Sequence, residues 1–282
     1  MKMKQYLPMV CFNVAGWAWK HSKEKYEDRL KRALEHVRTS RLTKVKGAKK
    51  ELPFIIGLSE VALAKGKYID TIRSEMPEYE LIFPVGYNPE ISPKSVINIL
   101  LVRKDQLIEY EVLELNMLKK EEDKLLLYNY VTLSTTVGNF RIINMHGVHT
   151  ANEDKPEWYR ATREVLSKKI MRAVVEEIAM YYDDERLVLM GDMNRTPSDK
   201  YLTKIMYGYN MIPVIDRKAN TYFGKKSKKH LDYVLVSCAT IANKNNTVFV
   251  GEVDDSTFYN SKPISDHALL IGCMAVDCEV SA

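Results

Sequence analysis

The segment R-L-V-L-M-G-D-M-N, residues 186–194, runs from an apolar stretch into a carboxylate, skips one residue and ends on a carboxamide. Asp192 can accept a proton from water or hold a metal ion, while Asn194 offers a donor and an acceptor to a substrate oxygen. With one extended residue between them, the two side chains are expected on the same face. Alone, the pair also suits an ordinary turn. The arrangement recurs, however. P-F-I-I-G-L-S-E delivers Glu60, H-L-D-Y-V-L-V-S carries Asp232, and P-I-S-D-H-A-L-L sets Asp266 and His267 at the head of a further apolar run. M-V-C-F-N-V delivers Asn13, and F-R-I-I-N-M-H delivers Asn144 and His146. Singly, Glu60 could be a surface edge residue, Asp232 a solvent-facing strand residue and His146 a satisfied core histidine. Ionisable groups in apolar strands are costly to bury unless paired or metal-bound, so their repetition points to one shared polar site.

The elements around these residues are expected to position them. Leu187 to Met190 have the composition of a fully buried strand, Gly191 lets the backbone turn, and Ser198 with Asp199 can cap a following helix. Asp192 and Asn194 then lie at a strand's C-terminal end, where open sheets place their ligands. Strands are expected at 7–14, 53–58, 79–83, 96–102, 108–115, 125–135, 138–145, 186–191, 231–237, 247–251 and 267–275. Helices fit 22–46, 67–75, 156–182 and 198–207. A turn as short as V-G-N between 125–135 and 138–145 demands an antiparallel hairpin. The expectation is an α/β protein of mixed sheets covered by helices.

No linker or repeat divides the 282 residues, so a single domain over 1–282 is expected. Four cysteines, Cys11, Cys238, Cys273 and Cys278, are too few and too scattered for a disulfide framework or a Cys-rich zinc site, which favours a reducing, cytoplasmic setting. Pro8 and Asn13 interrupt the N-terminal apolar run, against a secretory signal, and no stretch approaches the ~20 apolar residues of a membrane span. The net charge of +5 is uneven. Residues 20–50 hold twelve Lys/Arg against four Asp/Glu, an excess of +8 that leaves −3 elsewhere. Tyr26, Leu30, Ala33, Leu34 and Val37 recur there at helical spacing, which reads as a solvated basic helix or a patch for polyanions.

Six stretches in order, F-N-V-A-G-W, G-L-S-E, I-N-M-H, L-M-G-D-M-N, H-L-D-Y-V-L-V-S and I-S-D-H-A, resemble the endonuclease/exonuclease/phosphatase superfamily from about residue 8 to 272. The resemblance implies a four-layer α-β-β-α sandwich of two mixed sheets with an active site at one end. It implies that Glu60 ligates Mg²⁺ or Mn²⁺, with Asp266 and Asn13 completing the metal environment. It further implies that Asp192 orients or deprotonates the attacking water, Asn194 holds that water or a phosphate oxygen, and His267, braced by Asp232, bonds a non-bridging oxygen. His146 stands where the family uses His or Tyr toward the leaving oxygen, with Asn144 beside it as a substrate contact. Many members carry an acid or Arg where this chain has Ala15, so one ion is expected. Lys225, Lys226, Lys228 and Lys229 precede the Asp232 strand, and Trp17, Trp19, Tyr222 and Phe223 lie near motif residues, a mixture suited to nucleic acid. The expected activity is nucleic-acid hydrolysis by a monomer. A phosphatase or phosphodiesterase for an inositol, lipid or small nucleotide is the alternative, and an idle binding module the third reading.

Overall fold

The computed structural model describes residues 2–15, 24–40, 52–63, 66–88, 96–118, 128–149, 155–183, 186–216, 218–223, 228–237, 250–259 and 263–279. Their strands form two six-stranded mixed sheets. The first contains β1 (Lys2–Asn13), β2 (Ile55–Ala62), β3 (Tyr79–Ile82), β4 (Val96–Arg103), β13 (Val250–Asp254) and β14 (Leu269–Glu279), in the spatial order β13-β14-β1-β2-β4-β3. The second contains β5 (Leu107–Leu113), β6 (Tyr128–Thr135), β7 (Gly138–His146), β8 (Leu187–Asp192), β9 (Ile212–Pro213) and β12 (Asp232–Val236), in the order β5-β6-β7-β8-β12-β9. A two-stranded hairpin, β10 (Tyr222–Phe223) and β11 (Lys228–Lys229), stands apart.

Each large sheet has one parallel pair, β1 with β2 and β7 with β8. A parallel pair needs a crossover, and here each carries a helix. Helix α1 (Tyr26–Thr39) lies between β1 and β2, and α3 (Glu157–Tyr181) between β7 and β8. The strands of these pairs lie inside their sheets, so both faces are covered and their sequences read as apolar runs: Leu187–Asp192 is buried throughout. The edge strand β5 is mostly exposed, as its Ile-Glu-Tyr-Glu composition requires.

Three apolar clusters fill the spaces between four layers. One packs α1 and α2 (Lys67–Glu75) on the first sheet, a second packs α3 and α4 (Lys200–Thr203) on the second, and a third lies between the sheets. The third cluster takes alternate residues of each strand: Leu7, Met9 and Cys11 from β1, Val188 and Met190 from β8, Val234 and Val236 from β12. That alternation is the period of two expected of strands, and it decides what appears at the rim.

Differences from the expected elements have local causes. Helix α1 begins at Tyr26 rather than 22. On α1 itself Arg32 meets Glu24, Lys31 and Lys67 both meet Glu27, Arg38 meets Glu78, and Arg29 is buried. Lys20, Lys23, Arg41, Lys44, Lys46, Lys49 and Lys50 of the basic stretch lie outside the described residues. The helix expected at 198–207 makes one α-helical turn, capped by Asp199 accepting from Tyr201 N and Leu202 N, then widens into a π-helical turn at Lys204–Gly208. The last strand starts at Leu269, because His267 makes only a single bridge to Tyr222.

Candidate active site

The inner rows of the sheets end in polar residues at one pole of the sandwich. Continuing from Cys11 by two residues reaches Asn13, from Met190 reaches Asp192, and from Val234 back along β12 reaches Asp232. His146 ends β7 in the same row as Ile142. Asn13, His146 and Asp192 thus lie at the C-terminal ends of the parallel pairs, where open sheets place their ligands. Asp232 joins them because β12 runs antiparallel to β8 with Asp232 opposite Asp192.

Glu60 reaches the same place by a different device. Leu58 and Val61 belong to the outer cluster, and simple alternation from Leu58 would send Glu60 outward too. The pairing of β2 with β4 shifts register between Leu58 and Val61, and Glu60 has φ +58°. This bulge turns the carboxylate inward, where Oε1 accepts from Asn13 Nδ2 at 3.2 Å and lies 3.4 Å from His146 Nε2. Left-handed backbone at a non-glycine residue costs on the order of 1–3 kcal/mol and persists only where the surroundings enforce it. Ala15 and Asn194, each two residues after a cluster residue, share this conformation at φ +48° and +50°.

Asp192 is the centre of the cluster. Its Oδ2 accepts from Asn13 Nδ2 at 3.1 Å and has His267 Nε2 at 3.6 Å and His146 Nε2 at 3.8 Å. The other ring nitrogen of His267, Nδ1, lies 2.9 Å from Asp232 Oδ2. Burial raises the Asp192 pKa, and Asp232 raises it further. Asp266 is raised by burial too, with Glu60 adding to the effect and His267 opposing it. Burial alone would lower His267, but Asp232 and Asp192 outweigh it and carry the imidazole up to about 10. Two groups offer ligand atoms within 4.8 Å of one another: Glu60, His146 and Asp192, and Asp192, Asp232 and His267. Four carboxylates converge on two imidazoles, two of them with raised pKa values. That excess of buried negative charge, on hard oxygen donors, fits a divalent cation of the Mg²⁺ or Mn²⁺ kind.

Residues with no proposed chemical role hold the frame. Ser265 Oγ donates to Asn13 O and accepts from His267 N, tying the end of β1 to the loop before β14. Thr221 Oγ1 accepts from Leu231 N and Asp232 N. Arg29 of α1 donates to Val14 O, Ala15 O and Ile264 O, so a buried guanidinium clamps the loops after Asn13 and before Asp266. Gly191 has φ +125°, and a Cβ there would lie 1.9 Å from Met145 O. The close approach of β7 and β8 that sets His146 beside Asp192 therefore needs glycine.

Solved structures share this architecture. An endonuclease/exonuclease/phosphatase protein from Bacteroides vulgatus matches with TM-score 0.67 at 14% identity, over 96% of this chain and 99% of that one. TDP2 from D. rerio, complexed with single strand DNA product, matches with TM-score 0.59 at 14% identity over 96% and 98%. The 3′ phosphatase NExo from Neisseria, bound to product DNA hairpin, matches with TM-score 0.62 at 16% identity over 94% and 98%. The chain has the endonuclease/exonuclease/phosphatase fold. No protein-family sequence model matches it, and a sequence comparison with curated proteins finds no match.

Within the endonuclease/exonuclease/phosphatase fold, Asn13, Glu60, His146, Asp192, Asp232 and His267 come together in one cluster. Asp266 is half-buried on the loop before β14, and its carboxylate interacts with Glu60 and Asp192. Two expectations need correction. Asn144 is not a substrate contact: it is fully buried, one strand period below His146, and its Nδ2 donates to Ile99 O of the facing sheet at 3.3 Å. Asn194 does not share a face with Asp192 through extended geometry. It turns left-handed, donates its backbone N–H to Asp192 Oδ1 and its Nδ2 to Gly147 O, and so joins the β7 and β8 loops. Lys228 and Lys229 are exposed on β11, opposite Phe223 and Tyr222. The Tyr222 ring lies 5.1 Å from that of His267, which puts this hairpin at the rim. Lys225, Lys226, Trp17 and Trp19 lie outside the described residues.

Proposed function

We propose that this chain is a divalent-metal-dependent phosphodiesterase that hydrolyses nucleic acid by in-line attack of water. Residues 1–282 serve in this reading as one catalytic domain, monomeric and cytoplasmic. The observation that carries it is the meeting of Asn13, Glu60, His146 and Asp192, from the ends of both parallel pairs, with the buried Asp232–His267 pair.

Glu60 with Asp266, and Asn13 beside them, would hold one Mg²⁺ or Mn²⁺ ion, which when bound neutralises charge on the phosphoryl oxygens. The remaining steps belong to side chains. Asp192, whose raised pKa makes it the stronger base, takes the proton of the attacking water. Asn13 and Asn194 restrict its rotation by donating to both of its oxygens. His267, kept protonated by Asp232, donates from Nε2 to a non-bridging oxygen, where charge grows in the transition state. His146, on the far side of Asp192 Oδ2, donates toward the leaving oxygen. Nucleic acid as the substrate draws support from Lys228 and Lys229 at the rim and from the DNA held by two of the similar proteins.

The test is incubation of the whole chain with single-stranded DNA, RNA, supercoiled plasmid, abasic duplex and a small chromogenic phosphodiester, each with Mg²⁺, Mn²⁺ or chelator. Metal-dependent cleavage of a polynucleotide that weakens steeply between about 50 and 200 mM salt is expected, since neutralised phosphates release counterions. Preference for a small phosphoester at every salt concentration would replace this reading with the phosphatase one.

A further inference from the structure

Helix α3 has two unlike halves. From Ser167 onward it packs on the second sheet, with Ile170, Met171, Val174 and Ile178 buried. Residues 155–162 are all exposed, and Trp158 and Val165 keep 70% and 66% of their surface open, with Tyr159 at 38%. The first turns of α3 therefore project beyond the sheet, continuous with a packed helix that supplies their stability. Exposing Trp, Tyr and Val together forgoes favourable burial, and such a patch marks a place where something binds.

Its location says what. Arg163 Nε donates to His149 O, and His149 follows His146 by three residues. His149 is exposed on the loop that leaves β7 after His146, so the hydrogen bond from Arg163 sets the start of α3 beside that loop. Tyr159 and Arg163 are four residues apart and share a face of the helix; the Trp158 ring meets that of Tyr159 edge to face at 5.8 Å. From Arg163 to Trp158 the helix rises about 7.5 Å, roughly two base-stacking steps. Lys155, Arg160, Arg163 and Lys168 outnumber Glu157 and Glu164 on this segment, and Glu164 is paired with Lys168.

We propose that the projecting half of α3 is a stacking platform for unpaired bases of a nucleic-acid strand whose scissile phosphate lies at Asp192. The proposal rests on the nuclease reading and deepens it. Aromatic faces stack on bases of any sequence once those bases are unpaired, and the flanking cations track the backbone. Continuity with the cluster through His149 and Arg163, and the positive balance of the segment, favour a polyanionic strand over a second copy of the chain or a lipid surface.

The test compares wild type with W158A/Y159A and W158F/Y159F, in the full chain. Anisotropy of labelled oligo(dT) and of a blunt duplex is measured without divalent ions, and kcat/KM on oligo(dT) is taken as a ratio to that on bis(p-nitrophenyl) phosphate. The alanine pair is expected to weaken oligo(dT) binding roughly 5- to 150-fold per base stacked, the range that base–aromatic stacking corresponds to. The kcat/KM ratio should fall with it, the phenylalanine pair should restore most of both, and duplex affinity should change much less. Unchanged oligo(dT) affinity in the alanine pair, while wild type still binds and cleaves it, overturns the platform and leaves the nuclease reading standing. Equal loss for duplex, loss of binding to phosphatidylserine vesicles alone, or dissociation of a dimer overturns it in favour of another occupant. If wild type neither binds nor cleaves oligo(dT) but hydrolyses the small diester, both readings fall.

Discussion

The two ends of the second sheet carry buried charge in opposite states. At the end where β7 begins, a groove of about 680 Å³ is lined by Glu109, Glu111, Thr132, Ser134, Asn139, Arg141 and Arg186, among others. Its arginines have protein partners, while Glu109 and Glu111 are exposed to solvent. Arg141 donates to Tyr130 OH and lies 3.7 Å from the centre of the Tyr181 ring, Tyr130 donates to Glu177, and Arg186 donates to Val137 O. At the end where β7 finishes, the carboxylates outnumber their cationic partners, the pKa values of Asp192 and Asp266 are raised, and Glu60 and Asn194 hold left-handed backbone. A polar network closed on itself stabilises a fold; one left with excess charge and enforced strain is arranged for a ligand. The proposed chemistry is therefore assigned to the more negative pole.

The largest effects should come from variants at that pole. Asp192→Asn and His267→Ala are each expected to lower kcat on a polynucleotide by roughly 10²–10⁴, the range of positioned proton-transfer groups, with KM little changed. Wild-type turnover in Asp192→Asn, measured at saturating substrate, would make Asp192 a turn residue only.

A pH effect follows in the chelated protein. The folded His267 pKa of about 10 lies above its ordinary value near 6.5, so its contribution to stability is complete below about pH 6.5 and is lost as pH rises toward 10. Asp232→Asn removes the charge that raises it most, so the imidazole resonance should titrate at lower pH by NMR, and the loss of stability should move down with it. Titration at the wild-type pH in Asp232→Asn would separate the two residues.

At the closed pole, Tyr130→Phe is expected to cost about 1–3 kcal/mol in urea denaturation, because Arg141 and Glu177 lose the hydroxyl between them. Activity per folded molecule should not move. A fall in kcat without loss of stability would break the contrast between the two ends. The smallest effect is expected at the rim, where Lys228→Ser with Lys229→Ser should flatten the slope of log affinity against log salt by about one unit for each phosphate no longer neutralised.

Much of this division was legible in the chain. Buried runs such as Leu187–Met190 and the apolar spacing of α1 declare their elements, and polar residues at the ends of such runs declare a pole. Three features were not legible because they depend on tertiary contact. Parity along β7 puts Asn144 and His146 on one face, but only the depth of the facing sheet separates a buried tie from a site residue. The inward turn of Glu60 depends on a bulge whose partner strand is some 40 residues away in sequence. Arg29 looks like one more cation of a basic helix, and only the fold brings Val14 O, Ala15 O and Ile264 O around it. The exposed start of α3 is hidden for a related reason: Trp158 and Tyr159 read as ordinary helix residues until the sheet is seen to end before them.

The central claim is that the carboxylate-rich pole takes a divalent cation through Glu60 and cuts a phosphodiester there. The direct measurement is cleavage of a labelled single strand by wild type and Glu60→Gln across a Mg²⁺ titration, with chelator as the zero point. The account predicts no cleavage in chelator, full recovery in wild type on adding Mg²⁺, and a rate for Glu60→Gln at least about 10²-fold lower at any Mg²⁺ concentration. Cleavage by wild type in excess chelator, or a Glu60→Gln curve that overlays that of wild type, would contradict it.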